Sequence, residues 1–350
     1  MKKLLCALLT AVLLLPAIAL ADGVVNVYNW YDYIDKSVLK LFEEETGITV
    51  NYMNFTTNED MIIQVNNTPG AFDVVFPSEY MVERMNKADM LMELDYSRLP
   101  NFSYIKENLL NPSYDPNNAH SVPYMWGTLG ILYNTDIVDE ADMNSWSALW
   151  NPKYPNQVLM MDSLRDAMAV ALKYLGYSVN STDLNEIKAA SDLLIAQKSS
   201  GAIKSYGLDE FKDKMVAGEA GMALVYSGDA AYSLELAEDE HVNLAYIVPQ
   251  EGSNVWTDTM VIPADAKNVD NAYLFIDFLC RPDIAQMNCE AIGYSSPNTG
   301  AIELMGDDYI SDPLLNPDDA TLALCEYYND LDEDTLLYYN TFYSMVKNAK

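Results

Sequence analysis

Histidine and basic residues are scarce in this sequence. Its 350 residues include two histidines, and 20 lysines and arginines stand against 52 aspartates and glutamates, which gives a formal net charge of −32. Such a charge repels phosphate backbones and anionic lipids, so we exclude nucleic acid as a partner. Because His120 and His241 lie far apart in the sequence, we expect no zinc site. Acidic residues also keep proteins soluble, so the charge by itself favours a cationic ligand only slightly.

Motifs of nucleotide-binding and hydrolytic enzymes are missing. The chain contains no G-x-G-x-x-G, no G-x-x-x-x-G-K-[ST] and no G-x-S-x-G. Residues 37–40 match S-x-x-K, but no S-D-N or K-T-G accompanies them, and we interpret the match as chance. Paired carboxylates could support glycoside hydrolysis, so a secreted acidic hydrolase stays open as an alternative. We predict a protein that is not an enzyme and that uses no cofactor and no metal.

Cysteines are few. Cys6 lies in the apolar start of the chain, which leaves Cys280, Cys289 and Cys325. This number is odd and no C-x-x-C occurs, so at most one disulfide can form. The sequence does not indicate which pair would form it.

The one long apolar run lies at the start of the chain. It covers residues 4–20, follows Met1-Lys2-Lys3 and ends in Ala19-Leu20-Ala21. About 17 residues are fewer than the roughly 20 that a membrane-spanning helix needs. A basic start, an apolar stretch and an A-x-A end are typical of a secretory signal peptide, so we predict residues 1–21 as a cleaved signal peptide. Removing them leaves 329 residues, enough for two domains.

Helical and strand patterns alternate along the rest of the chain. Strands are predicted at 24–28, 48–52 and 73–76, with helices at 34–45 and 58–66 between them and Gly47 placed to end the first helix. This β-α-β-α-β order predicts a mostly parallel sheet flanked by helices. Ligands bind beyond the carboxyl ends of the strands in such sheets. Two predicted loops lie at those ends, at residues 29–33 and 77–80.

A second α/β pattern follows. Strands are predicted at 157–161, 222–226 and 244–248, helices at 166–175 and 184–197, and then a strand at 259–263 and a helix at 271–280 that return to the first unit. We therefore predict an α/β protein of two lobes, joined by crossing hinge strands near 129–133 and 255–259. The first lobe would contain residues 22–128 and 257–301, and the second residues 129–256 and 302–350.

The predicted loops repeatedly pair an aromatic residue with a carboxylate. Trp30 and Tyr33 flank Asp32, Tyr226 precedes Asp229, and Trp256 precedes Asp258; Asp166 begins a helix, and Tyr80 and Tyr294 lie in loops. Carboxylates can fix the ends of an alkylammonium by charge-assisted hydrogen bonds, while aromatic faces cover its methylene stem. With 25 tyrosines and 52 acids, single pairs also arise by chance. Several pairs at strand ends of both lobes favour a site for a small organic cation.

Several stretches of the sequence resemble one family. The specific ones are Asn-Trp-x-Asp-Tyr at 29–33, Trp-x-Asp at 256–258 and Gly-Tyr at 293–294; residues 42–50, 122–127, 145–150, 175–178 and 277–282 also fit. In these motifs the chain closely resembles the periplasmic spermidine/putrescine-binding proteins of bacterial ABC importers. The resemblance weakens after about residue 305. It implies a type II-like periplasmic binding protein fold that closes around one polyamine and delivers it to an inner-membrane ABC permease.

The resemblance also implies roles for individual residues. The family's aromatic box is matched by Trp30, Tyr33, Trp256 and Tyr294, its ammonium-binding acids by Asp32, Asp166 and Asp258, and its polar contacts by Ser78 and Tyr80. Tyr226 stands where the family has a tryptophan. Ser163 stands where spermidine-preferring members carry an acid, and Asp229 where putrescine-preferring members carry one. The preferred chain length therefore stays open. We predict a periplasmic monomer, with a polyamine sensor that docks on a membrane signalling protein as the alternative role.

Overall fold

The computed structural model describes residues 23–349, so the signal peptide predicted at residues 1–21 lies outside the described part. The strands are β1 (Gly23–Trp30), β2 (Ile48–Phe55), β3 (Val74–Val75), β4 (Ser121–Asn134), β5 (Val158–Met161), β6 (Ile203–Gly207), β7 (Met222–Tyr226), β8 (Leu244–Ile247) and β9 (Val255–Val261). The helices are α1 (Lys36–Thr46), α2 (Asn58–Asn67), α3 (Glu79–Lys87), α4 (Leu164–Tyr174), α5 (Leu184–Ser199), α6 (Glu210–Val216), α7 (Ser227–Glu240), α8 (Val269–Leu279), α9 (Pro282–Ile292), α10 (Thr299–Met305), α11 (Asp307–Ser311), α12 (Asp319–Leu322) and α13 (Glu333–Asn348). In this part of the chain no helix is both long enough and apolar enough to cross a bilayer.

The strands form two sheets that share one strand. The order is β2-β1-β3-β9-β4-β7-β5-β6, and β8 pairs with the second half of β4 on the edge opposite β7. β1 is parallel to β2 and β3, and β5 is parallel to β6 and β7. The pairs made by β4 and β9 are antiparallel. The predicted α/β class and the two-lobed, periplasmic-binding-protein-like architecture are confirmed.

The shared strand is β4, whose 14 residues are all buried. As far as Thr128 it pairs with β9, and from Leu129 it pairs with β7. β4 therefore carries the chain from the first sheet to the second. The crossing predicted at 129–133 is thus the second half of a longer strand. The second crossing, predicted at 255–259, lies earlier in the chain than predicted. All of β9 from Val255 onward pairs within the first sheet, so the chain returns to that sheet before Val255.

Each sheet has its own hydrophobic core. The first core includes Phe42, Phe76 and Phe275, and the second includes Trp146, Phe211 and Tyr339. The chain after α9 does not pass to the second core at once, because Met305 and Tyr309 pack on the first core and Leu314 belongs to the second. This packing favours a start of the last segment of the second lobe after residue 309 rather than at residue 302, and the boundaries of the lobes stay predictions.

Local sequence explains how α1 is placed after β1. The Asp35 carboxylate caps the helix by accepting a hydrogen bond of 2.8 Å from the backbone N–H of Ser37. Gly47 ends it, as predicted, with φ of 76°, a conformation that glycine adopts without steric penalty. Val38 and Phe42, four residues apart, are buried on one face. α1 thus packs on the first core and holds the turn at residues 31–35 beyond the end of β1.

Candidate ligand-binding site

Asp258 lies on β9 where the two sheets meet. Its side chain accepts hydrogen bonds from the Ser78 hydroxyl at 2.6 Å and from the Tyr33 hydroxyl at 2.8 Å. The residue is 8% exposed. Burial raises the pKa of its carboxyl to about 6, against the opposing effect of the two hydroxyl donors. Both partners are neutral, so the negative charge has no cationic partner among residues 23–349.

Four aromatic rings lie beside this carboxylate. Trp256 and Tyr294 meet edge to face with ring centroids 5.1 Å apart. The ring centroids of Tyr226 and Trp256 are 6.0 Å apart, and those of Tyr33 and Tyr294 are 5.9 Å apart. The rings of the first lobe and of Tyr226 from the second lobe thus form one group. Ring faces of this kind attract cations and cover apolar stems.

Asp166 faces the same group from the second lobe, in the first turn of α4. Its carboxylate accepts hydrogen bonds from the hydroxyls of Tyr226 at 2.8 Å, Tyr328 at 2.9 Å and Ser163 at 2.5 Å. The residue is 3% exposed. Arg165, its neighbour in the sequence, stacks over the Tyr328 ring at 4.4 Å and makes no ion pair with Asp166. Asp166 is therefore a second buried carboxylate whose described partners are all neutral.

Asp229, in the first turn of α7, is the third acid of the group. It lies 3.4 Å from the Tyr294 hydroxyl, which donates to it, and 3.2 Å from the Lys212 ammonium. Burial raises the pKa of the Asp229 carboxyl, and Lys212 opposes that shift. Asp229 thus differs from Asp258 and Asp166, because it has a cationic partner within the protein.

Close packing fixes the rings. A Cβ atom at Gly228 would lie 1.8 Å from the Tyr294 ring, and one at Gly127 would lie 2.7 Å from the Trp256 ring. Only glycine allows the start of α7 and the middle of β4 to approach the rings this closely.

The sequence and the fold of this chain match those of known proteins. The family model described as bacterial extracellular solute-binding protein matches residues 37–317. This chain belongs to that family. It is 36% identical over 324 residues to spermidine/putrescine-binding periplasmic proteins of Salmonella typhimurium and Escherichia coli, covering 92% of this chain and 91% of theirs. Among solved structures, the spermidine/putrescine ABC transporter substrate-binding protein PotD from Streptococcus pneumoniae superposes with a TM-score of 0.84 at 39% identity, over 94% of this chain and 99% of that one.

Three further predicted site residues of this solute-binding protein are Tyr80, Trp30 and Asp32, and in the described structure none of them makes a hydrogen bond to Asp258, Asp166 or Asp229. The Tyr80 hydroxyl accepts a hydrogen bond from Asn58 at 3.1 Å, and its ring packs near Tyr328. Trp30 contacts Phe55 with ring centroids 4.5 Å apart. Asp32 lies in an exposed turn with φ of 46°, and among the described residues no hydrogen bond or ion pair joins it to the other acids. A ligand role for Asp32 stays a prediction.

Two residues that the sequence analysis did not place in the site are buried beside it. Glu79 is 1% exposed and accepts hydrogen bonds from the backbone N–H groups of Thr257 at 3.2 Å and Tyr328 at 3.3 Å. Burial raises the pKa of its carboxyl to about 8. Tyr328 donates to Asp166, as described above. The sequence analysis missed Tyr328 because the resemblance to the family weakens after residue 305. It missed Glu79 because no sequence pattern indicates a role for this residue.

The structure also corrects the predicted loop at residues 77–80. Ser78 is the N-cap of α3, and Glu79 and Tyr80 form its first turn. Glu79 therefore has its carboxylate at a helix N-terminus, where negative charge is favoured. In the described part of the chain Cys280, Cys289 and Cys325 are all free thiols.

Proposed function

We propose that this solute-binding protein captures a polyamine between its lobes. The observation that carries the proposal is the pair of buried carboxylates, Asp258 and Asp166, whose partners among the described residues are all hydroxyls and which face one group of aromatic rings. A buried charge without an opposite charge is unfavourable, and an alkylammonium supplies that charge. The names of the relatives in Salmonella typhimurium and Escherichia coli support the same ligand class.

Each side chain has a distinct task in this proposal. Asp258 receives one ammonium with help from Ser78 and Tyr33, and Asp166 receives another with help from Tyr226 and Tyr328. The rings of Trp256 and Tyr294 cover the methylene stem between them. Further contacts with the ligand come from Trp30, Asp32, Tyr80 and Asp229. Binding is reversible and involves no covalent step.

Closure follows from the positions of the acids. We place residues 22–128 and 255–309 in the first lobe and residues 129–254 and 310–350 in the second; the pairing of β4 supports the change at Thr128–Leu129, and the pairing of β9 supports the change at Val255. Asp258 then belongs to the first lobe and Asp166 to the second. A ligand held by both acids binds the closed form more tightly than the open one, and this difference drives closure.

The complete role is import. We propose that the signal peptide at residues 1–21 is removed on export and that the mature protein acts as a periplasmic monomer. It would deliver its ligand to an inner-membrane ABC permease; in support, the Streptococcus pneumoniae neighbour is named as a substrate-binding protein of an ABC transporter. Uptake of radiolabelled ligand into cells that lack this protein would test import directly, since a sensor would leave uptake unchanged.

A thermal-shift panel tests the ligand class. Putrescine, cadaverine, spermidine and spermine are added to the mature protein, with 1,4-butanediol as an uncharged control. A ligand at 100 times its dissociation constant should raise the free energy of unfolding by about 2.7 kcal/mol. We expect at least one amine to raise Tm and butanediol to leave it unchanged. Equal Tm values with and without all four amines would contradict the proposal.

A further inference from the structure

Lys212 is a feature of the site that the proposed function does not use. It lies in α6, and its ammonium is 3.2 Å from Asp229 Oδ1. The side chain of Lys212 is 28% exposed and that of Asp229 is 19% exposed, so this ion pair is largely shielded from water. The ammonium also lies 5.7 Å from the centre of the Tyr232 ring on α7. A primary ammonium on a methylene stem is thus held by a carboxylate and near a ring.

This arrangement has the same chemistry as one end of a polyamine. The carboxylate that holds Lys212 is also the one that accepts from the Tyr294 hydroxyl, so it belongs to the ring group that contains Trp256. The pKa of Lys212 is raised, because attraction by Asp229 and Asp209 more than offsets the lowering effect of burial. Lys212 is therefore a cation at neutral pH.

The other two acids of the group contrast with Asp229. In residues 23–349 neither Asp258 nor Asp166 makes an ion pair with a lysine or an arginine, and their described partners are the hydroxyls of serine and tyrosine side chains. Two carboxylates thus lack a cation, and the third already has one. An α,ω-diamine carries two ammonium groups, which matches the two acids.

We propose that the Lys212 ammonium occupies the Asp229 end of the site as a tethered cation and makes this protein selective for a diamine over a triamine. The inference rests on the proposed function. A triamine such as spermidine would bring a third cation to a place where the nearest carboxylate is already paired. It would have to displace Lys212 or leave one ammonium unpaired, and either outcome is unfavourable.

Isothermal titration with putrescine and spermidine tests the selectivity of the unaltered protein. We expect putrescine to bind at least about tenfold more tightly than spermidine, a difference of about 1.4 kcal/mol. Equal affinities, or a preference for spermidine, would overturn the inference while leaving the proposed function intact. Absence of binding by either amine would instead remove the proposed function, and the inference with it.

Substitutions test the cause. Lys212→Met keeps the length of the stem and removes the charge, so the ratio of spermidine affinity to putrescine affinity should rise about tenfold or more. Lys212→Arg keeps the charge and should leave the ratio near that of the unaltered protein. Adding Asp229→Asn to Lys212→Met should cancel the gain, because the released carboxylate is then absent.

A matched control is available on the same helix. Lys214 lies two residues further along α6 and pairs with Glu210 at 3.9 Å, away from the ring group. Lys214→Met removes the same charge and should leave the ratio unchanged. If Lys214→Met changes the ratio as much as Lys212→Met does, the effect comes from the overall charge of the protein and the proposed role of Lys212 is wrong.

Discussion

At the scale of single residues, the site depends on two acids whose partners within residues 23–349 are all neutral. Asp258 and Asp166 are hydrogen-bonded by hydroxyls in a buried place, which orients both carboxylates but leaves their charge without an opposite charge. Such an arrangement is unfavourable in the protein without ligand. A cation that pairs with such a buried carboxylate therefore gains more binding free energy than it would gain at an exposed carboxylate.

The substitution Asp258→Asn tests this directly. The amide keeps the shape of the side chain and removes the charge, so polyamine affinity should fall at least tenfold, or about 1.4 kcal/mol, by calorimetry. Asp270→Asn is the control, because the Asp270 side chain is 89% exposed and pairs with Arg98 outside the site. Unchanged affinity in Asp258→Asn would contradict the role of this carboxylate.

Glu79 predicts a pH effect on stability. Its carboxyl has a pKa of about 8 in the folded protein, against an ordinary value of 4.5 for glutamate. Between pH 4.5 and pH 8 the folded protein therefore binds more protons than the unfolded chain does. Stability of the ligand-free protein should therefore fall as pH rises from 5 to 8. The backbone N–H groups of Thr257 and Tyr328 donate to different oxygens of Glu79, so Glu79→Gln keeps an acceptor for only one of them while it removes the titration. Whatever its effect on stability at one pH, the variant should show a fall in Tm between pH 5 and pH 8 that is smaller than in the unaltered protein by about 2 °C or more.

The comparison variant for Glu79 is Glu290→Gln. Glu290 is exposed on α9 and accepts a hydrogen bond from Gln286. It should leave the difference in Tm between pH 5 and pH 8 as in the unaltered protein. If Glu79→Gln also leaves that difference unchanged, Glu79 does not titrate in the way its burial indicates.

At the scale of elements, most strands and helices were predictable because their apolar residues recur with clear spacing. The predicted strand at 222–226 is β7, and the predicted helix at 58–66 is α2 with one further residue. β6 was missed because all but one of its five residues are half-buried and the other is exposed, which weakens the alternation. α3 was missed because Pro77 and Ser78 look like a loop, although serine before a helix is also a common N-cap.

The start of α7 carries an element-scale prediction. A methyl group at position 228 would lie 1.8 Å from the Tyr294 ring, so Gly228→Ala must push the ring away from Trp256 and Asp229. Alanine favours a helix more than glycine does, so α7 itself should form. We expect polyamine affinity to fall about tenfold or more by calorimetry while far-ultraviolet circular dichroism stays unchanged.

Gly300→Ala is the matched control for Gly228→Ala. Gly300 also lies in the first turn of a helix, and a Cβ atom there would lie 2.6 Å from the Pro282 side chain, away from the rings. It should lower stability and leave affinity unchanged. Similar losses of affinity in both variants would show that general destabilisation, and not the position of Tyr294, explains the effect.

At the scale of the whole molecule, the sequence predicted the two lobes and the aromatic and acidic residues that face each other. It could not predict Lys212 or Glu79 as neighbours of those residues. Lys212 meets Asp229 because α6 packs on α7, and Glu79 meets Tyr328 across 249 positions of the chain. Such contacts depend on how elements pack, which spacing along a sequence does not reveal.

The overall charge gives a prediction about rate. Removing residues 1–21 also removes Lys2 and Lys3, so the net charge changes from −32 to about −34. A field of this sign attracts polyamines at long range, and salt weakens it beyond a Debye length of about 8 Å at 0.15 M. In stopped-flow measurements the association rate constant should fall as sodium chloride rises from 20 to 300 mM, more steeply than the dissociation rate constant changes. An association rate constant that does not depend on salt would exclude electrostatic steering of the ligand.

The shared strand β4 has a consequence for how the protein can be divided. Because the chain passes from the first sheet to the second within β4 and returns to the first sheet with β9, the first half consists of two segments that are far apart in the sequence, and no single cut separates the halves. Recombination of one continuous segment therefore cannot transfer both halves separately and intact into other genes. On such a frame, specificity can still change by point substitution, and the role proposed for Lys212 would make position 212 one place for such a change.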